Sequence, residues 1–419
     1  MSFRKPKWMG PALVLLIAMR AYAASESVLY NFADGSDGAY PIDYGHLARD
    51  SSGSLYGTTA GGGSCANGTV FKLVPSNGSW QETILHSFCG QDGVSPIGDV
   101  ILDEAGNIYG TTGGGLSCSI SCGTVFRLAA SGAFRVLYTF TGGDDGASPT
   151  SGVIRDKFGN LYGTTYLGGV NAGGVVYKIS NSGKFSVIYS FCSISNCADG
   201  ENPLTGLVQD STGHLYGTTY IGGTYGLGVV FELSQSAGNW SETVLHSFAG
   251  SPNDGAGPEG GGLTITSRKI GTTTHLVLFG ATAYGGTSGY NGTVFELVQA
   301  GGGYRYEVIY NFTGITGADG VQPYGSLTIS RGALVGTTTL GGDFSCFESG
   351  SGCGTVFELI NTGEAWTKTV LYEFTGIDGY SPLSGIVADS SGNLFGVTYS
   401  GGSQCSSSWG CGVVFEITP

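Results

Sequence analysis

The stretch Asn160-Leu-Tyr-Gly-Thr-Thr165 decides the fold, because related versions of this motif occur seven times in the chain at intervals of 53 to 63 residues. Every version keeps the glycine and the last threonine of the phrase. The glycines are Gly57, Gly110, Gly163, Gly217, Gly280, Gly336 and Gly396. A period of this length, built from short apolar runs and glycine turns, indicates one supersecondary unit per copy that needs neighbours to bury its faces.

One copy contains four strand-like runs joined by turns. In the third copy they are Gly152-Val-Ile-Arg-Asp156, the phrase itself, Gly174-Val-Val-Tyr-Lys-Ile179 and Phe185-Ser-Val-Ile-Tyr-Ser-Phe191. Four runs connected by hairpins predict one antiparallel sheet. Seven such sheets bury both of their faces when they form a ring, so we predict an all-β, seven-bladed β-propeller. A linear β-solenoid is the alternative, although its coils are usually shorter.

The two ends of the repeat region complement each other. Val28-Leu-Tyr-Asn-Phe32 reads as a fourth strand with no blade of its own, and Gly412-Val-Val-Phe-Glu-Ile417 reads as a third strand with no fourth strand after it. We therefore predict that the N-terminal strand closes the last blade.

The N-terminus has the features of an export signal. A basic start is followed by a short apolar run and by Ala21-Tyr-Ala23, which suits signal-peptidase cleavage. We predict a signal peptide over residues 1–23 and a single propeller domain over 24–419. The apolar run is too short to span a bilayer, so we expect an exported protein without a membrane span.

Charge and cysteine content narrow the class of protein. Loss of the four cations in residues 1–23 leaves 13 basic against 31 acidic residues, a strongly negative chain that should repel nucleic acid. We expect a monomer. Ten cysteines in an exported chain indicate five disulfides, and zinc is the weaker interpretation because no group completes a four-ligand set. The predicted pairs are Cys65–Cys89, Cys118–Cys122, Cys192–Cys197, Cys346–Cys353 and Cys405–Cys411.

An Asp-Gly pair follows each fourth strand. The aspartates are Asp37, Asp92, Asp145, Asp199, Asp254, Asp319 and Asp378. A residue that every blade carries more readily serves a turn that every blade makes, and no copy has the full ligand series of a calcium loop. We therefore expect structural turns, with calcium binding as the alternative, and we predict no metal site and no cofactor.

The repeated phrase, together with the flanking Asp-Gly pairs and Gly-Thr-Val-Phe strands, resembles the GloVer tandem repeat of bacterial "choice-of-anchor" proteins. The resemblance extends over nearly the whole repeat region. It implies an exported bacterial protein whose function is uncharacterised, and it brings no catalytic residues. Members often carry a C-terminal anchoring segment, which this sequence does not show after its last strand.

A unique site should break the sevenfold symmetry. At the start of the innermost strand most blades have glycine, but three have His46, Asp99 and Ser326. Glu259 and Tyr324 follow the prolines of their blades. We predict that these five residues surround the mouth of the central channel and bind a ligand. The alternative is a solvated rim. We assign no catalytic residue.

Two functions remain open on this evidence. The first is a secreted binding module for a glycan or a protein, acting on the face where the cysteines cluster. The second is a secreted enzyme, a polysaccharide lyase or glycoside hydrolase, with its site at the channel mouth. Convergence of two carboxylates there would favour the enzyme, because glycoside hydrolysis uses such a pair. We favour the binding module.

Overall fold

The repeats fold as blades. A computed structural model describes residues 24–41, 45–114, 122–259, 261–314, 319–346, 350–405 and 409–419. Its strands form seven four-stranded antiparallel sheets, which are the blades of a β-propeller. The predicted all-β, seven-bladed fold is confirmed.

The strands of each blade are given from the innermost outward. Blade 1 contains Ala48–Arg49, Leu55–Thr59, Thr69–Ser76 and Ser79–Ser87. Blade 2 contains Ile101–Leu102, Ile108–Thr112, Thr124–Leu128 and Phe134–Thr139. Blade 3 contains Ile154–Arg155, Leu161–Thr165, Val175–Ile179 and Phe185–Ser190. Blade 4 contains Val208–Gln209, Leu215–Thr219, Val229–Ser236 and Asn239–Ser247.

The remaining blades follow the same order. Blade 5 contains Thr264–Ile270, Thr273–Thr282, Thr293–Ala300 and Gly303–Asn311. Blade 6 contains Thr328–Ser330, Ala333–Thr338, Thr355–Asn361 and Trp366–Glu373. Blade 7 contains Val387–Ala388, Leu394–Thr398, Val413–Thr418 and the N-terminal Ser25–Asn31. Short strands Gly255–Ala256 and Tyr284–Gly285 pair with each other, and Gly35–Asp37 and Ser195–Cys197 are 3₁₀ turns.

Blade 7 is closed by the two ends of the repeat region. Ser25–Asn31 pairs antiparallel with Val413–Thr418, so that Ser25 lies opposite Thr418 and Asn31 lies opposite Val413. The last blade therefore takes its outermost strand from the beginning of the chain, as predicted. The chain segment that leads into blade 1 is thus anchored in blade 7 by main-chain hydrogen bonds.

Three residues of the repeated phrase have identifiable structural roles. The Tyr162 hydroxyl donates to Asp156, whose carboxylate also accepts the N–H groups of the hairpin turn. Gly163 lacks a Cβ because one built there would lie 2.4 Å from the Tyr177 hydroxyl. The Thr165 hydroxyl donates to the carbonyl of Leu167 and so fixes the start of the following loop.

Aromatic residues fill the spaces between the strands. Phe32 in the closing segment and Phe71 in blade 1 are almost fully buried and meet edge to face, with ring centroids 5.2 Å apart. Equivalent pairs recur in the other blades, for example Phe191 with Phe231. Buried aromatic side chains of this size supply large apolar areas, so they form the core that each sheet lacks alone.

The Asp-Gly pairs are structural turns, as predicted. Asp145 accepts the Thr141 N–H and the Tyr138 hydroxyl, both at 2.9 Å. Each of the seven aspartates accepts a hydrogen bond from a backbone N–H in the segment that follows the outermost strand. Each also pairs with a tyrosine hydroxyl or a histidine ring nitrogen of that outermost strand. These bonds fix the chain as it leaves one blade for the next.

One face of the ring carries the disulfides. This braced face is made of the loops between second and third strands and of the connections between blades. Four predicted disulfides are present there: Cys65–Cys89, Cys192–Cys197, Cys346–Cys353 and Cys405–Cys411. The fifth pair involves Cys118, which lies outside the described residues, as does the predicted signal peptide. Within the described part of the chain, no helix has the length and apolarity to cross a membrane.

Candidate functional site

The ring encloses a cavity of 580 Å³ along its axis, which we call the channel cavity. Its walls are the innermost strands of blades 2 to 6 and the segment that leads into the innermost strand of blade 1. The walls are largely glycine and aliphatic side chains. The polar or charged wall residues are His46, Asp99, Arg155, Gln209, Thr264, Ser326 and Thr328.

His46 and Asp99 are brought together at one end of this cavity. His46 Nδ1 lies 3.4 Å from Asp99 Oδ2, and the two side chains are 46% and 16% exposed. The other carboxylate oxygen, Oδ1, accepts the Gly152 N–H at 2.9 Å. Asp99 is therefore fixed by the backbone of blade 3 while it faces the imidazole of blade 1, and the predicted proximity of His46 and Asp99 is confirmed.

The charge of Asp99 alters the acidity of His46. Desolvation alone would lower the pKa of His46, but the hydrogen bond and the negative charge of Asp99 outweigh it and raise that pKa above its usual value. The imidazole is consequently held as a better proton acceptor than a free histidine.

Ser326 has a structural partner as well as a place in the cavity wall. Its hydroxyl donates to the Gly45 carbonyl at 3.2 Å, and the same carbonyl accepts the Gly385 N–H at 2.6 Å. A Cβ at Gly385 would lie 2.2 Å from Ser326 Oγ, so only glycine fits there. Ser326 thus joins blades 6, 7 and 1 at the same end of the channel as His46 and Asp99.

Glu259 and Tyr324 do not line the channel cavity. They belong instead to a tyrosine cluster on the braced face, which also contains Tyr220 and Tyr284. The Tyr284 and Tyr324 hydroxyls lie 3.4 Å apart. Burial, followed by a hydrogen bond with Glu259, raises the pKa of Tyr220 to about 12 and also raises that of Tyr324. The five predicted residues are therefore divided between two places.

A shallow groove of 350 Å³ adjoins the tyrosine cluster between blades 4 and 5. Tyr220, Tyr284 and Tyr290 contribute to its walls, and Tyr290 is 78% exposed. Sequence reasoning missed these three residues. Tyr220 stands directly after the repeated phrase, and a comparison of that position among the blades would have shown an aromatic residue in three of them: Tyr166, Tyr220 and Tyr399.

The described walls of the channel cavity supply one carboxylate, Asp99. A glycoside hydrolase needs two carboxyl groups, roughly 5–9.5 Å apart. Asp43 and Tyr44, which are inserted near the start of blade 1, lie outside the described residues. The described arrangement offers fixed hydrogen-bond donors and acceptors in a concave, mostly apolar space, which suits the binding of a small polar ligand.

One group of potential metal ligands occurs among the described residues, namely Cys192, Cys197 and Glu201. The two cysteines are bonded to each other, so their sulfur atoms are not thiolates available to a metal. This group is therefore a brace of the loop after blade 3.

Solved structures resemble the chain only distantly. A provisionally assigned oxidoreductase (glucose dehydrogenase) from Thermus thermophilus is 12% identical, with 94% of this chain and 100% of that one covered and a TM-score of 0.43. The N-terminal domain of Nup159 is 10% identical, with 95% of this chain and 96% of that one covered and a TM-score of 0.44. The NanB sialidase from Streptococcus pneumoniae is 10% identical, with 93% of this chain and 70% of that one covered and a TM-score of 0.40. Likenesses this remote say nothing about activity.

Sequence comparison identifies the family. No curated protein matches the sequence. The Gloeobacter/Verrucomicrobia repeat matches residues 16–209 and 277–419, which make up most of the chain and contain most copies of the repeated phrase. The resemblance seen in that phrase is thereby confirmed, and the chain belongs to the Gloeobacter/Verrucomicrobia repeat family.

Proposed function

We propose that the protein is an exported binding propeller whose ligand is a glycan held at the channel cavity. One observation carries this proposal. The His46–Asp99 pair, with 3.4 Å between its nitrogen and oxygen, projects into a 580 Å³ cavity at a position where most blades have glycine. Four blades form the ring with glycine at this position, whereas a ligand with several hydroxyl groups would use both side chains.

The chemistry of the cavity suits a neutral or cationic sugar. An imidazole and a carboxylate can together donate to and accept from vicinal hydroxyls, and the aliphatic walls can contact the apolar faces of a sugar ring. The net charge of the whole chain is −14, and residues 1–23 contain four of its cations. The field around the ring therefore disfavours polyanionic glycans.

A protein ligand on the braced face is the second candidate. Tyr225, Tyr290 and Trp409 project from loops of that face and are 62%, 78% and 50% exposed. Exposed aromatic side chains are enriched in protein interfaces. Glu259, Tyr324 and the groove beside them would then belong to the contact surface rather than to a glycan site.

The two candidates are separated by a binding screen on the purified protein. We expect a neutral oligosaccharide to bind on a glycan array and by calorimetry, and we expect His46→Ala and Asp99→Asn each to weaken it at least tenfold. Thr273→Ala, an exposed change on the opposite face, is the matched control. Binding that survives both cavity variants but is lost in Tyr290→Ala would move the site to the braced-face groove. Appearance of shortened products with the bound oligosaccharide would instead favour the enzyme.

A further inference from the structure

One position of each outermost strand faces the Asp-Gly turn of the preceding blade. We call it the seam position, and it is defined by its partner in the third strand, a leucine or isoleucine. In blades 1 to 7 the seam residues are Glu82, Phe134, Phe185, Glu242, Tyr306, Lys368 and Glu26. Because the strand registers are equivalent, these seven side chains occupy equivalent places between blades.

Four seams are chemically matched. Phe134 stacks on His86 and Phe185 stacks on Tyr138, with centroids 3.8 and 3.7 Å apart. Tyr306 stacks on His246 and donates to Asp254. Lys368 places its ammonium 2.8 Å from Asp319 Oδ1 and is only 4% exposed. Each of these side chains gives the preceding blade either an aromatic face or a counter-charge.

The other three seams place a glutamate where blade 6 has lysine. Glu82 faces Asp37, Glu242 faces Asp199 and Glu26 faces Asp378. One oxygen, Oε1, of each glutamate is buried without a hydrogen-bond partner among the described residues. No ion pair in the described part of the chain involves any of the three glutamates.

The other titratable neighbours at these seams are tyrosines of the preceding blade. The hydroxyls of Tyr30, Tyr189 and Tyr372 donate to Asp37, Asp199 and Asp378. Each aspartate thus accepts a hydrogen bond from its own blade, whereas Oε1 of the facing glutamate has no donor among the described residues.

We propose that these three carboxyl seams make the propeller pH-sensitive, because each blade contact is favourable while its glutamate is protonated and becomes repulsive when the glutamate ionises. The folded ring is then most stable in mildly acidic surroundings. As the medium becomes alkaline, three contacts weaken: those between blades 7 and 1, between blades 3 and 4, and between blades 6 and 7. This inference concerns the frame of the molecule and stands apart from the proposed glycan site.

The acidity of the three groups agrees with this geometry. Burial, and secondly the facing aspartate, raises the pKa of Glu26 and Glu82 to about 7 and that of Glu242 to about 8. In the unfolded chain a glutamate returns to its ordinary value of about 4.3. The folded state therefore binds more protons between these values, and stability falls as pH rises from about 4.5 to about 8.

The test compares thermal unfolding between pH 5 and pH 9 for the protein, expressed as the full chain, and for the triple variant Glu26→Gln, Glu82→Gln, Glu242→Gln. We expect the midpoint of the parent protein to fall by several degrees over this range and that of the triple variant to fall far less. Glu364→Gln, an exposed change in a turn, should leave the slope unaltered. If the triple variant does not fold, Glu242→Gln alone should remove about a third of the slope.

A charge swap gives the second readout. Glu242→Lys reproduces the arrangement of blade 6 and should raise the midpoint at pH 8, whereas Lys368→Glu should lower it and steepen the pH dependence. Equal slopes for the parent protein and the triple variant would overturn the proposal. So would stabilisation of the parent protein alone by millimolar calcium at pH 8, because the seams would then hold a metal ion rather than a proton.

Discussion

The Thr164 hydroxyl in blade 3 donates a hydrogen bond of 3.1 Å to the backbone carbonyl of Thr205, just before the innermost strand of blade 4. The same link joins Thr58 to Gly98, Thr111 to Ser151 and Thr337 to Ser384. In these four blades the first threonine of the repeated phrase therefore ties its own blade to the next one at the channel, while blades 5 and 7 have Ala281 and Val397 at this position. This contact explains why the phrase contains a second hydroxyl in addition to the one that fixes its own loop.

Replacing Thr164 by valine should destabilise the ring. The change keeps the volume but leaves the buried Thr205 carbonyl without this donor, which costs about 1–3 kcal/mol. Chemical denaturation should show a lower midpoint with an unchanged slope. Thr164→Ser retains the hydroxyl and should lose clearly less, and exposed Thr273→Val should be neutral. Equal losses in the serine and valine variants would mean that the methyl group, not the hydrogen bond, matters.

Deleting Ser25–Asn31 should weaken the whole ring rather than one blade. Val413–Thr418 would become an exposed strand edge, and such edges pair with other chains. We expect a lower unfolding temperature by calorimetry and the appearance of dimers or larger species by size-exclusion chromatography. Ser27→Ala in the same strand is the control and should behave like the parent protein. A monomeric deletion variant with the parent unfolding temperature would contradict closure by this strand.

The disulfides should differ in their contribution to stability. In the chain-entropy model, a loop of 24 residues such as Cys65–Cys89 gains about 3.5 kcal/mol, and a loop of five such as Cys192–Cys197 gains about 2 kcal/mol. The double serine variant of the first pair should therefore unfold at lower denaturant than that of the second. Mass spectrometry of the non-reduced protein should show five disulfides. Detection of free thiols in the native protein would contradict the predicted pairing.

The pKa of His46 should report its contact with Asp99. The pair raises that pKa above the ordinary value near 6.5, so its contribution to stability is present below this pH and is lost as pH rises through the folded pKa. With five histidines in the chain, proton NMR can follow the imidazole of His46 after assignment by a His46→Gln variant. Asp99→Asn should lower the measured pKa, while Asp92→Asn, which faces His86, should leave it unchanged.

The fold could be predicted from the sequence because its information is local and repeated. Strand runs, turn glycines and the aspartate of each first hairpin recur at every blade, and antiparallel pairing then fixes which residues begin an innermost strand. Counting along those strands was enough to bring His46 and Asp99 together. Closure by the N-terminal strand followed from matching one unpaired strand with one incomplete blade.

The tyrosine cluster and the seams could not be predicted in the same way. Glu259 and Tyr324 lie in the connections that lead into blades 5 and 6, and these connections differ in length. Their distance from the channel therefore depends on the geometry of the loops rather than on the period of the strands. At the seams, the register within the blade is continuous as far as Glu82, which lies opposite Leu73. The partner aspartate, Asp37, lies after the outermost strand of another blade, so the period of the repeat does not show that the two carboxyl groups face each other.

The shared seventh blade also sets an order of assembly. Ser25–Asn31 is synthesised before any other strand of the ring, yet its partner Val413–Thr418 is synthesised last. During synthesis Ser25–Asn31 must stay unpaired until Val413–Thr418 has emerged, whereas each of blades 1 to 6 takes all four strands from one continuous stretch of chain. Blades 1 to 6 can therefore form one after another as the chain is synthesised, but blade 7 and the closed ring can form only after Val413–Thr418 has been synthesised.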